Sequence, residues 1–207
     1  MPRKAMPEPR NHYYDGWLYR RLVDPNLKPL RKQIAEWTPA GSTVLDVGCG
    51  TGDQLIHLAP HIQSGIGLEL SETMVRTASR RSRFLDQLEF RLGTAAEPFA
   101  FDDGHFDLVL STMVIHEMPS TIRLHVLREM KRVARVLILA DFIVPLSGFW
   151  QKLSTHTIEF IAGRDHYRGF RSYMREGGMP ALLDRTGVEI LESRITAKGT
   201  VMLWRCQ

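Results

Sequence analysis

VLDVGCGTGDQ, residues Val44 to Gln54, decides the fold. Val44–Val47 read as a buried strand, Gly48, Gly50 and Gly52 follow at alternate positions, and Asp46 and Asp53 flank the glycines. A glycine run between a strand and the helical stretch DQLIHLA permits a tight turn and lets a ligand rest against backbone N–H groups at the helix start. A dinucleotide fingerprint would have its third glycine at position 53, where this chain has Asp53. Two carboxylates beside a pyrophosphate are unfavourable, because like charges about 4 Å apart repel by about 4 kcal/mol at an intermediate dielectric.

Outward from this turn the chain alternates. Strand-like runs stand at TVLDV (43–47), GIGLEL (65–70), LEFRL (88–92), FDLVLST (106–112) and RVLILADF (135–142). Between most of them lie the helical stretches DQLIHLA (53–59), SETMVRTASRR (71–81) and TIRLHVLREMKRVA (121–134). Strands this apolar are covered on both faces, so the pattern predicts an α/β fold, a parallel sheet wrapped by helices. Residues 1–11 read as a poorly ordered leader and 12–40 as N-terminal helices. Residues 145–178, rich in aromatics, read as a helical lid inserted after the fifth strand. PALLDRTG, VEILESRI and GTVMLWRC then supply a helix and two closing strands. All 207 residues are expected to form one domain.

Bulk properties narrow the class. Lys and Arg number 27 against 23 Asp and Glu, spread from Arg3 to Arg205, which disfavours nucleic acid as partner. No apolar run is long enough to cross a bilayer, and no signal region follows the N-terminal charges, so a cytoplasmic location is expected. Two cysteines, Cys49 and Cys206, form no disulfide framework.

The ligand follows from charge. Asp46 can attract an ammonium while the glycine turn accommodates an attached carboxylate and sugar. Glu69 ends the next strand and can accept two hydrogen bonds from ribose hydroxyls. S-adenosyl-L-methionine carries the ammonium, carboxylate, ribose and a sulfonium.

VLDVGCGTG, GLEL (67–70) and FDLVLSTMVIHEM (106–118) together resemble the first, second and fourth motifs of class I S-adenosylmethionine-dependent methyltransferases, particularly the small-molecule, quinone and phospholipid enzymes. The resemblance implies a Rossmann-like, seven-stranded, mostly parallel sheet with helices on both faces and an antiparallel final strand. It implies that Asp46, Gly48, Cys49 and Gly50 hold the methionine part, Glu69 the ribose and Leu70 the adenine. In LGTAAEPF (92–99), Thr94 stands where the family has an aspartate for the adenine amino group. Glu97 is the alternative there, and the Ala95 N–H can meet an adenine ring nitrogen. Ser111, Thr112 and Met113 would line the pocket, and Tyr14, in a family-like "YD", would cover the cofactor. His116 occupies the position where the family often has a histidine facing the transferred methyl, as general base.

Other readings compete. Asp53 suffices as a helix N-cap. Cys49 is a small residue suited to the turn, and Cys206 has no base near it in sequence. His156, Glu159, His166 and Tyr167 fall in the lid as substrate contacts or packing, and their spacing matches no zinc motif, so no metal is expected. The function expected is methyl transfer to an O, N or C atom of a small-molecule or lipid-headgroup acceptor, mainly by alignment. A non-catalytic module that binds S-adenosylmethionine or S-adenosylhomocysteine and acts through partners is the rival. A nicotinamide oxidoreductase is the weaker one.

Overall fold

A computed structural model of the chain describes residues 28–146, 148, 155–157, 159–160, 163–196 and 199–207. Tyr14 and the leader lie outside the described residues, as does the start of the N-terminal helical region.

Seven strands form one sheet: β1 (Thr43–Val47), β2 (Ser64–Glu69), β3 (Leu88–Leu92), β4 (Phe106–Thr112), β5 (Ala134–Phe142), β6 (Ile190–Thr196) and β7 (Val201–Cys206). Their spatial order is β3-β2-β1-β4-β5-β7-β6. β7 runs antiparallel to both β5 and β6, and every other pairing is parallel. The Rossmann-like sheet expected from the sequence is therefore present. Helices are α1 (28–37), α2 (Asp53–Leu58), α3 (Glu72–Arg81), α4 (Ser120–Val133), α5 (Arg164–Arg175) and α6 (Gly178–Thr186). Residues 155–157 and 159–160 are also helical.

Apolar content sorts the strands. Leu45, Leu108, Val109 and Leu110 of β1 and β4 and Leu139 of β5 are fully buried, whereas β6 keeps Glu192 and Arg194 exposed on a sheet edge, where charge discourages further pairing. The winding reverses between β1 and β4: the chain leaves β1 toward β2 and β3, then crosses back to β4. Such a reversal opens a crevice outside the carboxyl ends of the central strands.

Local signals set the helix ends. Ser71 caps α3, its hydroxyl accepting from the Met74 N–H, with Glu72 in the first turn and Arg80 and Arg81 in the last. α6 stops at Gly187, whose φ of 63° is the left-handed conformation of a helix C-terminus.

One buried cation joins three elements. Arg123 of α4 donates to the carbonyls of Ile115 and Gly169, the Ser172 hydroxyl and Glu176 at 3.1, 2.6, 2.9 and 3.0 Å. It thereby ties α4 to the short 3-10 turn Ile115–Glu117 and to α5. Gly169 allows this approach, because a Cβ there would lie 2.3 Å from the Glu117 carbonyl oxygen.

Candidate active site

The crevice holds a cavity of about 340 Å³ whose floor includes the glycine turn. Gly48 has φ 77°, and a Cβ on it would stand 2.6 Å from the Val114 methyls, so only glycine keeps the turn closed against the loop after β4.

The turn's donors are directed inward. Gly48 and Cys49 N–H groups both donate to the Leu68 carbonyl, at 2.8 and 3.1 Å, and Gly52 N–H donates to the Cys49 carbonyl at 3.0 Å. Gly50 N–H donates to Glu69 Oε2 at 3.0 Å, while Ser71 N–H donates to Glu69 Oε1 at 2.9 Å. At Gly48, Cys49, Gly50 and Gly52 the N–H groups are thus spent within the turn and the β1–β2 junction and are not left for a ligand. A pyrophosphate, which needs such donors, gains no anion-binding nest at these positions.

Acidic groups dominate the floor. Asp46 is 2% exposed, and burial, reinforced by the charge of Glu69, pushes its carboxyl up to about 7. Glu69 is raised too, by burial against the opposing effect of its two backbone hydrogen bonds. Burial, with Asp46 and Glu69 nearby, pushes the Cys49 thiol upward, away from nucleophilic character. A positive charge beside Asp46 and Glu69 would favour their ionised forms.

Asp53 is not the N-cap expected. Gly52 takes that position, and Asp53, the first helical residue, is ion-paired with Arg81 and accepts from the Thr51 hydroxyl at 2.7 Å. Burial opposes its ionisation, but Arg81 and Thr51 hold the carboxyl below its usual range. Arg31 of α1, 4.0 Å from Asp53, also borders the cavity.

The remaining expected cofactor residues are placed as follows. Leu70 is half exposed at the cavity rim, and Thr94 and Ala95 line it from the turn after β3. The Thr94 hydroxyl accepts from the Ala96 N–H at 3.1 Å. Glu97 is exposed and does not line the cavity. Thr112 and Met113 line it, whereas Ser111 does not: it is buried and donates to the Val47 carbonyl at 3.1 Å. Strand alternation explains the difference, since neighbours on β4 face opposite sides.

His116 requires the largest correction. It is fully buried and does not line the cavity, so it does not take the expected position facing a transferred methyl. Its Nδ1 donates to Asp141 Oδ1 at 2.7 Å and its backbone N–H to Asp141 Oδ2 at 3.0 Å. Burial alone would lower its pKa, but Asp141 and Glu159 outweigh burial and raise it well above the ordinary imidazole range. The residue that does face the cavity is the next one, Glu117, with Val114, Met118, Pro119 and Ile122 around it.

Of the four residues expected in a lid, His166 alone reaches the cavity. Its Nδ1 is 3.3 Å from Glu117 and its Nε2 2.5 Å from Glu159. Burial would lower its pKa, yet the two carboxylates carry it to about 9. Glu159 is 2% exposed, and the two histidines overcome burial to bring it to about 2. His156 Nδ1 lies 3.1 Å from the Tyr167 hydroxyl, and neither residue lines the cavity. Sequence reasoning missed Glu117, Arg31 and Ile122. The signal for Glu117 was adjacency to His116, within a turn whose handedness no periodicity reveals.

Fold and site together define a protein of the nucleoside-cofactor-binding α/β type, with an acidic floor suited to a cationic ligand. Residues 44–136 match the family described as "Methyltransferase domain". The methyltransferase GfsG of Streptomyces halstedii is 30% identical over 195 residues, 88% of this chain and 67% of that protein. The 27-O-demethylrifamycin SV methyltransferase of Amycolatopsis mediterranei is 34% identical over 112 residues (51% of this chain), and the demethylmenaquinone methyltransferase of Bacillus licheniformis 38% over 140 residues (62% of this chain). The chain spans 40% and 59% of the length of these last two. A SAM-dependent methyltransferase from Aquifex aeolicus superposes with a TM-score of 0.65 at 19% identity, covering 93% of this chain and 98% of that one, which shows the shared fold. The chain belongs to the class I S-adenosylmethionine-dependent methyltransferases, and S-adenosylmethionine is that family's cofactor.

Proposed function

We propose that the protein transfers a methyl group from S-adenosylmethionine to an oxygen of an apolar, hydroxyl-bearing small molecule. One observation carries the reading: a single cavity joins an acidic floor, Asp46 and Glu69, to an apolar wall whose carboxylate is Glu117. The cofactor fits the residues present. Asp46, buried and raised by burial, gains from an ammonium, and Glu69 retains acceptor capacity for ribose beyond its two backbone bonds. Gly48, Cys49 and Gly50 form the floor under the methionine part, Arg31 borders the cavity for the carboxylate, and Leu70, Thr94 and Ala95 flank the adenine, with Thr112 and Met113 beside them.

When bound, the cofactor supplies a methyl group on a sulfonium, an electrophile that needs no further activation. The chain's own task is alignment, which can lower a barrier by about 7–11 kcal/mol. Val114, Met118, Pro119 and Ile122 present an apolar surface that orients the acceptor and excludes water. Glu117, rather than His116, is placed to take the acceptor's proton. The names of the rifamycin and menaquinone relatives favour a polycyclic or quinone-like acceptor over a lipid headgroup. The thiols of Cys49 and Cys206, both free and buried, support work in a reducing compartment such as the cytoplasm.

The test is transfer of labelled methyl from S-adenosylmethionine to a panel of phenols, hydroquinones and hydroxylated polyketides, alongside calorimetric titration with S-adenosylhomocysteine. Transfer to a member of the panel supports the reading. S-adenosylhomocysteine binding without transfer to any of them, or to a whole metabolite extract, favours the non-catalytic module.

A further inference from the structure

Behind the acceptor wall, three side chains from separate segments converge: His116 of the 3-10 turn, Glu159 of the helical residues 159–160 and His166 of α5. One ligand atom from each lies within 4.8 Å of the others. We propose that His116, Glu159 and His166 form a mononuclear site for a divalent transition metal of the zinc type. The proposal does not depend on which acceptor is methylated, although it shares Glu117 with the acceptor wall.

Three observations carry it. The first is donor type, because two imidazoles and one carboxylate are a set used by zinc sites that keep a fourth position for water or substrate. The second is orientation. Each imidazole has a carboxylate at Nδ1, Asp141 at 2.7 Å for His116 and Glu117 at 3.3 Å for His166, while Glu159 Oε2 stands 3.6 Å from Nε2 of His116 and 2.5 Å from Nε2 of His166. A carboxylate behind each metal-binding histidine is the arrangement that fixes its tautomer and raises its basicity. Asp141 is itself anchored, accepting from the backbone N–H groups of His116 and Phe142 at 3.0 and 2.7 Å. The third is satisfaction: His116 Nε2 is buried and completes no hydrogen bond, its nearest acceptor being Glu159 Oε2 at 3.6 Å, which is costly unless another partner completes it.

Distance and charge agree. Metal–ligand bonds of about 2.0–2.2 Å in a tetrahedron give ligand–ligand edges of about 3.3–3.6 Å. The 3.6 Å separation matches this edge, and the 2.5 Å contact must lengthen by about 1 Å for an ion to enter. Binding would displace the protons that the two imidazoles share with Glu117, Asp141 and Glu159, so a divalent ion keeps the charge balance of the cluster unchanged. The site would fasten the helical residues after β5 to the turn after β4. Of the three ligands, His166 alone borders the cavity.

The experiment uses the full chain, stripped with chelator and titrated with Co²⁺ and then Zn²⁺. Expected are visible ligand-field bands of a low-coordinate cobalt site saturating at one equivalent per chain, displaced by Zn²⁺, and a melting temperature that rises with Zn²⁺. Glu159→Gln and His166→Gln, each checked for folding by circular dichroism, should weaken Co²⁺ binding at least about 100-fold, and Asp141→Asn about 10–100-fold. The absence of saturable Co²⁺ binding by the wild-type chain overturns the proposal. So does wild-type affinity in a folded Glu159→Gln or His166→Gln chain, which would place the ion elsewhere. S-adenosylhomocysteine affinity, measured in parallel, separates failure of this site from failure of the methyltransferase reading.

Discussion

Asp46→Asn should make the ligand-free protein more stable at neutral and alkaline pH while weakening its hold on the cofactor. Burial and the charge of Glu69 raise the Asp46 carboxyl from 3.8 to about 7 in the folded chain. The folded state therefore binds a proton that the unfolded state has released, so stability is lost as pH rises from about 4 and levels off above about 7. A shift of about three units corresponds to about 4 kcal/mol of strain at pH 8. The asparagine amide carries its own burial penalty of about 1–3 kcal/mol, leaving a net gain of about 1–3 kcal/mol. In a domain of this size each kcal/mol moves the melting temperature by about 2–4 °C. The assay is thermal denaturation of the ligand-free wild type and variant from pH 5 to pH 8.5, with S-adenosylhomocysteine titrations at the same points. The wild-type midpoint should fall toward pH 7 and the variant's should lack that component. Wild-type affinity should drop about fivefold from pH 7 to pH 6, because binding an ammonium at Asp46 must then displace a proton. A variant that melts no higher than wild type at pH 8, together with pH-independent wild-type affinity, would refute the argument.

Glu69→Gln removes the charge that binds Gly50 and Ser71 N–H groups and would bind ribose; hydrogen bonds to charged groups are worth about 1.5–3 kcal/mol, so S-adenosylhomocysteine affinity should fall about 10–100-fold by calorimetry. Glu117→Gln should leave cofactor affinity within about threefold while lowering kcat about 10²–10⁴-fold on a hydroxyl acceptor, measured in a labelled-methyl assay; an unchanged kcat would remove Glu117 as the proton acceptor. Gly169→Ala drives a Cβ to within 2.3 Å of the Glu117 carbonyl and should destabilise the chain by about 1–3 kcal/mol in urea denaturation, with a rise in acceptor KM before any loss of cofactor affinity.

Sequence alone determined the alternation of strands and helices, the glycine turn, and the two acids at the ends of β1 and β2, because each depends on neighbours a few residues away. The apolar runs of β1, β4 and β5 require cover on both faces wherever the chain goes, and a glycine turn after a strand closes in one way. Tertiary structure alone decided which side chains face the cavity. His116 and Glu117 are adjacent, and the 3-10 turn sends the first inward to Asp141 and the second outward to the acceptor wall. Ser111 and Thr112 divide similarly, by strand parity. The inward use of the glycine-turn N–H groups depends on Leu68 and Glu69, about 20 residues away, and the union of His116 with Glu159 and His166 spans a longer separation still. Local propensity carries no information about such contacts, because they exist only once Arg123 and Gly169 have brought α5 against the turn.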